Sequence, residues 1–237
     1  SSGTTNAKSK FIPISEECLE DCHFKAGKDL LSIYANNHPD NSLFSNKNLR
    51  LGGSSELYED FNTKFGDLSA IMIENLPFWV EITTTPSKKV SLMSEWESKL
   101  KAIVSEVKNE DVGSMTGVPS WMMVLLQRTL ADTGKETIAE IWPNLEVFFH
   151  GGISFKPYRD QYRKIIGKDI NYYEIYNASE GFFAIQDQPG SDEMLLMLDY
   201  GIFYEFIPMD AFDPDNLEAI PLEDVEIGKN YALVITT

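Results

Sequence analysis

Cysteine and histidine are scarce in this sequence: two and three among 237 residues. Cys18 and Cys22 lie four apart on an expected helix, a geometry that does not suit a disulfide. His23 alone does not complete a zinc set around them. The pair reads as two small buried residues of a protein kept in a reducing compartment, the cytoplasm. Three scattered histidines define no nucleophile–base constellation, so a covalent-nucleophile hydrolase is a poor fit. Basic residues are few as well, 20 against 37 acidic ones, for a net charge of −17. A nucleic-acid-binding surface needs a basic footprint that this chain lacks, and anionic membrane is disfavoured for the same reason. No apolar run reaches the length of a transmembrane helix. No secretory signal pattern is visible.

What is there belongs to a globular protein. Hydrophobic residues make up 43% of the chain, enough for a sizeable core in one large domain or two small ones. Residues 11–14 form a short extended piece before Ser15, which caps a helix with Glu16 and Glu17 in its first turn. Leu19, Cys22, His23, Ala26, Leu30, Ile33 and Tyr34 mark its buried stripe to about residue 36. His23 on that stripe reads as a satisfied core histidine. Residues 49–53 read as a strand ending in a glycine turn. Residues 66–73 are a helix or a strand, and Leu76-Pro77-Phe78-Trp79 is an aromatic break, read as a loop packed over the core. The clearest helical stripe is Leu92, Trp96, Leu100, Ile103, Val104 and Val107; Glu95, Glu97, Lys99, Lys101, Glu106 and Lys108 read as its solvated face. Residues 112–118 are a small-residue segment before Pro119, which opens a helix carrying Trp121, Val124, Leu125 and Leu130.

The second half holds the more informative stretches. Residues 145–149 read as a strand running into His150-Gly151-Gly152. Two glycines after a strand permit a flat ring to approach the backbone; the alternative is a tight strand-to-helix turn with His150 merely hydrogen-bonded. A helix with Tyr158, Tyr162, Ile165 and Ile166 on one side follows. Residues 171–176 form another strand, closed by Asn177-Ala178-Ser179-Glu180-Gly181. A strand that ends on hydroxyls, an amide and one carboxylate is how an α/β sheet builds a site beyond its strand ends. Read as a nucleotide pocket, Tyr176 flanks a base or acyl group, Ser179 meets a phosphate and Glu180 holds magnesium through oxygen. Read plainly, the stretch is a strand, a turn and a solvated acid. Farther on, residues 193–198, 202–207 and 231–236 read as strands, with Asp199-Tyr200-Gly201 a tight turn between the first two. The expectation is an α/β fold, a mixed sheet with flanking helices over residues 1–190, packed on a β-rich subdomain over residues 191–237.

At the other end, Ser1-Ser2-Gly3-Thr4-Thr5 is followed by Lys8 and Lys10. Glycine among hydroxyl residues lets the backbone turn and aims N–H and O–H groups at an anion. The stretch lacks the GK[ST] ending of a Walker loop, and on its own it is also any Ser/Thr-rich loop. The chain starts without Met inside this stretch and stops within an apolar strand pattern, so it reads as a segment of a longer protein.

These two stretches, in this order, resemble those of the adenylate-forming enzymes. More narrowly, the chain resembles the auxin-responsive-promoter family of acyl-acid amido synthetases, in its bacterial branch. The residues that carry the resemblance run from Ser1 to Lys10, through Gly66-Asp67-Leu68-Ser69-Ala70, Trp142-Pro143-Asn144-Leu145, His150-Gly151-Gly152 and Tyr176 to Gly181, to Tyr204-Glu205-Phe206-Ile207-Pro208. The chain departs at Ala7, where the superfamily often has glycine. The resemblance implies an adenylate-forming N-terminal-domain fold and an ATP- and Mg2+-dependent ligase. Such an enzyme activates a small carboxylic acid as an acyl-adenylate and passes it to an amine, usually of an amino acid. Ser1, Ser2, Gly3, Thr4, Thr5 and Ser179 would hold phosphate oxygens. Gly151, Gly152, Tyr176, Asn177 and Ala178 would hold the nucleoside, Glu180 the metal, and Thr4, Ser179 and Glu180 would serve the chemical step. Met115, Thr116 and Val118 are candidates for the acyl-acid wall, with plain packing as the alternative. Because the family uses a mobile C-terminal domain for transfer, the 237 residues alone are expected to be nearly silent. Two other readings stay open: transfer to coenzyme A instead of an amine, and a non-catalytic binding module that keeps the fold.

Overall fold

Ser15 starts the first helix: its Oγ accepts a hydrogen bond from the Cys18 N–H at 3.1 Å, which satisfies one of the donors a helix start leaves open. The computed structural model describes residues 11–53, 57–61 and 63–237. The helix continues as a π-helical stretch, Cys18–Phe24, and then as α1, Lys25–Asn37. The stripe is buried as expected at Leu19, Cys22, His23, Ala26, Leu30 and Tyr34. Periodicity did not announce the wider π turn. Cys22 is buried and Cys18 half-buried, and both are free thiols. His23 is not satisfied: neither ring nitrogen has a hydrogen-bond partner among the described residues.

In chain order the further elements are β1 (Lys47–Leu51), β2 (Tyr58–Asp60), β3 (Thr63–Phe65), α2 (Leu68–Glu74), α3 (Phe78–Thr83), β4 (Thr84–Thr85), α4 (Lys88–Ser91), α5 (Trp96–Val107), β5 (Val112–Gly117) and α6 (Pro119–Thr133). After them come β6 (Val147–Gly151), α7 (Arg159–Ile166), β7 (Asn171–Ala178), β8 (Gly181–Ile185), β9 (Leu195–Leu196), β10 (Phe203–Pro208), β11 (Ile220–Pro221) and β12 (Tyr231–Thr236). Seven strands form one sheet in the order β4-β1-β5-β6-β7-β8-β9. The first five run parallel; β8 and β9 are each antiparallel to the strand before them in that order.

Alternation along the parallel strands splits the core in two. Leu49, Met115 and Phe148 face a cluster with Ile103, Leu125, Trp142 and Tyr162 from the helical side. Val147, Phe149 and Tyr173 face the other way, against Ala26, Leu30 and Tyr34 of α1. A sheet covered on both faces by helices is the layered arrangement that parallel strands require.

Several readings of the sequence change here. Residues 112–117 are not merely a small-residue segment but an interior strand, β5, whose apolar content alternates too weakly with glycine and serine to be legible. Phe78 and Trp79 are no packed loop; they sit in α3, 76% and 50% exposed. Lys99 does not belong to the solvated face of α5. It is buried, and its ammonium donates to the Gly53 carbonyl at 3.0 Å. The Asp199 turn joins no hairpin, because β9 pairs with β8 in the large sheet while β10 pairs with β11 and β12 in a separate antiparallel one.

Candidate functional site

The parallel strands deliver their ends to a common edge. Leu51, Gly117, His150 and Glu174 lie side by side in register across β1, β5, β6 and β7. Beyond that row stand Gly52-Gly53, Val118, Gly151-Gly152 and the end of β7. The crevice outside the carboxyl ends of such strands is where open α/β sheets bind ligands.

Gly151 and Gly152 shape the middle of this edge. A Cβ on Gly151 would lie 2.5 Å from the Ile175 carbonyl oxygen, so only glycine lets β6 and β7 close up there. Gly152 has φ +81, a left-handed conformation that favours glycine. A Cβ on it would meet the Val118 side chain at 3.4 Å, which places Val118 beside this loop. Thr116 lies one residue inside the edge, bonded through Oγ1 to the Asn48 amide at 3.1 Å. Met115 is fully buried in the helix-side cluster, where packing accounts for it.

β7 outruns its neighbour. Ile175 is the last residue of β7 paired with β6, and four more residues carry the chain to Ser179, roughly 13 Å onward at strand rise. Ala178 pairs with Gly181 across the turn, so Ser179 and Glu180 form the tip of a two-residue hairpin that overhangs the edge. The sequence had this turn but not the returning strand β8, whose continuous apolar run lacks a period. Tyr176 stands on the overhang, 47% exposed, its ring 5.0 Å from that of Phe183. Asn177 and Ala178 are half-buried.

Ser179 opens onto a cleft of about 1340 Å3. Phe11, Ile14, Phe65, Asp67 and Leu68 are among its other walls, so the segment that directly follows the hydroxyl-rich amino terminus borders the same space as the hairpin tip. Ser1, Ser2, Gly3, Thr4 and Thr5 themselves lie outside the described residues. Glu180 is half-buried, with no hydrogen bond or ion pair to another described residue. Among the described residues no three His, Cys, Asp or Glu side chains converge as a metal cage.

Two polar residues near this edge, Arg50 and Lys99, escaped the sequence reading, and His150, which it singled out, has other surroundings than expected. Arg50 is largely enclosed; its guanidinium reaches Thr84 Oγ1 at 3.4 Å, its Nε has no partner among the described residues, and burial pushes its pKa down to about 10. Burial likewise holds the Lys99 ammonium below its usual range. Lys99 falls three after Trp96 and four before Ile103, on the stripe itself, which was the available signal. His150 is 2% exposed, stacked on Phe155 at 4.2 Å, and its Nδ1 has no partner. It is not the merely hydrogen-bonded turn residue of the plain reading. Burial, helped by the Arg159 charge, pushes its pKa down to about 3, so the imidazole is neutral.

The architecture is that of the acyl acid amido synthetases. The structure described as GH3.15 acyl acid amido synthetase superposes with a TM-score of 0.73 at 12% identity, covering 96% of this chain and 49% of that one. AtGH3.15 acyl acid amido synthetase in complex with 2,4-DB matches equally, TM-score 0.73 at 14% identity, over 100% of this chain and 50% of that one. At such identities the likeness speaks for the fold. The sequence goes further, because it matches the GH3 family N-terminal domain over residues 1–170 and the GH3 family central domain over residues 195–237. The chain belongs to the GH3 family. A curated relative, indole-3-acetic acid-amido synthetase GH3.3 of Arabidopsis thaliana, is 31% identical over 107 residues, 42% of this chain and 18% of that protein. The chain spans about half the length of the solved relatives it matches. No helix among the described residues is long and apolar enough to cross a membrane.

Proposed function

We propose that the carboxyl edge of the sheet binds ATP, and that the protein activates a small carboxylic acid as its acyl-adenylate and conjugates it to the amine of an amino acid. The observation that carries this reading is the convergence of Gly151-Gly152, Tyr176 and the overhanging Ser179-Glu180 tip on one edge, in a chain of the GH3 family. In this assignment residues 1–190 bind nucleotide and acyl acid, and residues 191–237 begin a β-rich subdomain. Two free thiols favour a cytoplasmic setting.

Joining a carboxylate to the α-phosphorus brings two anions together, so the site has to align them and neutralise charge. The glycines allow the adenine to lie against backbone, with Tyr176 along its flank. Ser179 donates its hydroxyl to a phosphate oxygen, as do Ser1, Ser2, Thr4 and Thr5 with the N–H of Gly3. The carboxylate oxygen then bonds to the α-phosphorus as pyrophosphate leaves. Thr116, one residue inside the edge, and Val118, beside the glycine loop, wall the acyl group. Glu180 suits a magnesium ion: its carboxylate is engaged by no other described residue, and Mg2+ carried on phosphates needs only one or two protein carboxylates. When bound, the ion supplies charge neutralisation on the phosphates.

The test is carboxylic-acid-dependent pyrophosphate release from ATP, run on a protein carrying this chain together with the region its relatives add. A panel of small aromatic and aliphatic acids is expected to yield at least one that stimulates release, with an amide forming when amino acids are added. No stimulation by any acid, with ATP bound, would remove the ligase assignment.

A further inference from the structure

Behind α7, away from the hairpin tip, lies a second and smaller cavity of about 240 Å3. It sits between α7, the first half of β7 and the 187–192 loop, and neither Gly151, Gly152, Tyr176 nor Ser179 lines it. Its charge runs against that of the molecule. The chain carries 20 basic residues against 37 acidic ones, yet this one cavity gathers Lys156, Arg159, Arg163 and Lys168 against Asp169, Glu174 and Asp192.

The four cations are not equivalent. Lys168 lines the cavity, but its ammonium is engaged, donating to the Pro143 carbonyl at 2.5 Å. Lys156 pairs with Asp192 at 3.0 Å, both largely exposed, a pairing worth little in water. Arg159 and Arg163 make no hydrogen bond or ion pair with any described residue. They are one turn apart on α7, so their side chains share a face. Two guanidinium forks on one face match the geometry of a carboxylate or phosphate, which accept two parallel N–H bonds each.

A second observation points the same way. The inner wall is aromatic: Phe155 stacks on His150 at 4.2 Å and tilts against Tyr172 at 4.7 Å. His150 in that wall is 2% exposed with Nδ1 unpartnered. A buried polar atom without a partner is a cost that a polar occupant relieves.

We infer that this cavity binds a small molecule through a phosphate or carboxylate group gripped by Arg159 and Arg163. With three acids in the same lining, the site takes one oxyanion group and not a polyphosphate. The cavity shares His150 and Glu174 with the carboxyl edge of the sheet, but none of the described residues proposed to hold the nucleotide lines it.

Calorimetric titration at fixed ionic strength tests this, with inorganic phosphate and malonate as probes and chloride as the balancing salt. The protein is compared with R159Q/R163Q and with S2A/T4A in the hydroxyl-rich loop. At least one probe is expected to bind saturably, one per chain, weakened more than tenfold in R159Q/R163Q and unchanged in S2A/T4A. Whichever probe binds more tightly names the oxyanion. Both arginines are exposed, so the double variant keeps its fold, which circular dichroism checks. No saturable binding of either probe, or binding that survives R159Q/R163Q, would overturn the inference. Binding lost only in S2A/T4A would also overturn it, by placing the anion at the amino-terminal loop.

Discussion

His150 shows how one enclosed side chain makes stability depend on pH. Its imidazole is enclosed by Phe155 and Phe148, and burial pushes its pKa down to about 3 from 6.5. Above pH 6.5 neither the folded nor the unfolded chain protonates it, and it is neutral to stability. Between 6.5 and 3 the unfolded chain takes a proton that the fold refuses, so stability falls as pH falls. At pH 5 this amounts to about 2 kcal/mol. His23, whose pKa burial also lowers, adds a loss of the same sign. His150→Phe, which keeps the stack, is expected to flatten the loss between pH 7 and pH 5 in urea unfolding; an equal loss in both proteins would contradict it. Residue-level reading of the sequence singled out His150 and Glu180 because glycines and a strand end mark them. It missed Arg50, Arg159 and Lys99, because a charged side chain carries no sign of whether its surroundings are wet.

At the scale of elements, the hairpin tip overhangs the edge because β7 outruns β6 and returns as β8. The pairing of Gly151 with Ile175 is the last before the overhang, and it tolerates no Cβ, which would sit 2.5 Å from a backbone oxygen. Gly151→Ala is therefore expected to cost about 2–3 kcal/mol in urea unfolding, as backbone has no rotamer by which to yield. Loss under 1 kcal/mol would mean the two strands have slack. Helices α1, α5, α6 and α7 were legible from their stripes, since a surface helix repeats its apolar residues every turn. β5 and β8 were not. One is diluted by Gly113 and Ser114, and the other, Gly-Phe-Phe-Ala-Ile, is buried throughout and so has no alternation to read. The π turn at Cys18–Phe24 shifts the helix by a residue, which a short stripe absorbs without trace.

At the scale of the molecule, the order of short motifs told more than any of them alone. Glycine pairs and Tyr-Asn-Ala-Ser-Glu-Gly are each commonplace; what joins them is a sheet in which parallel strands end together. The sequence could suggest that arrangement only through family likeness, because strand order is a property of contacts far apart in the chain. The edge bearing Gly151-Gly152 and the Ser179-Glu180 tip is proposed to hold a magnesium nucleotide. Calorimetric titration of ATP into the protein and into Glu180→Ala, with and without magnesium, addresses it most directly. Magnesium is expected to tighten binding to the wild type, and the variant is expected to lose this dependence and to bind at least about tenfold more weakly, a difference of about 1.4 kcal/mol. The same magnesium-dependent affinity in both proteins would contradict it.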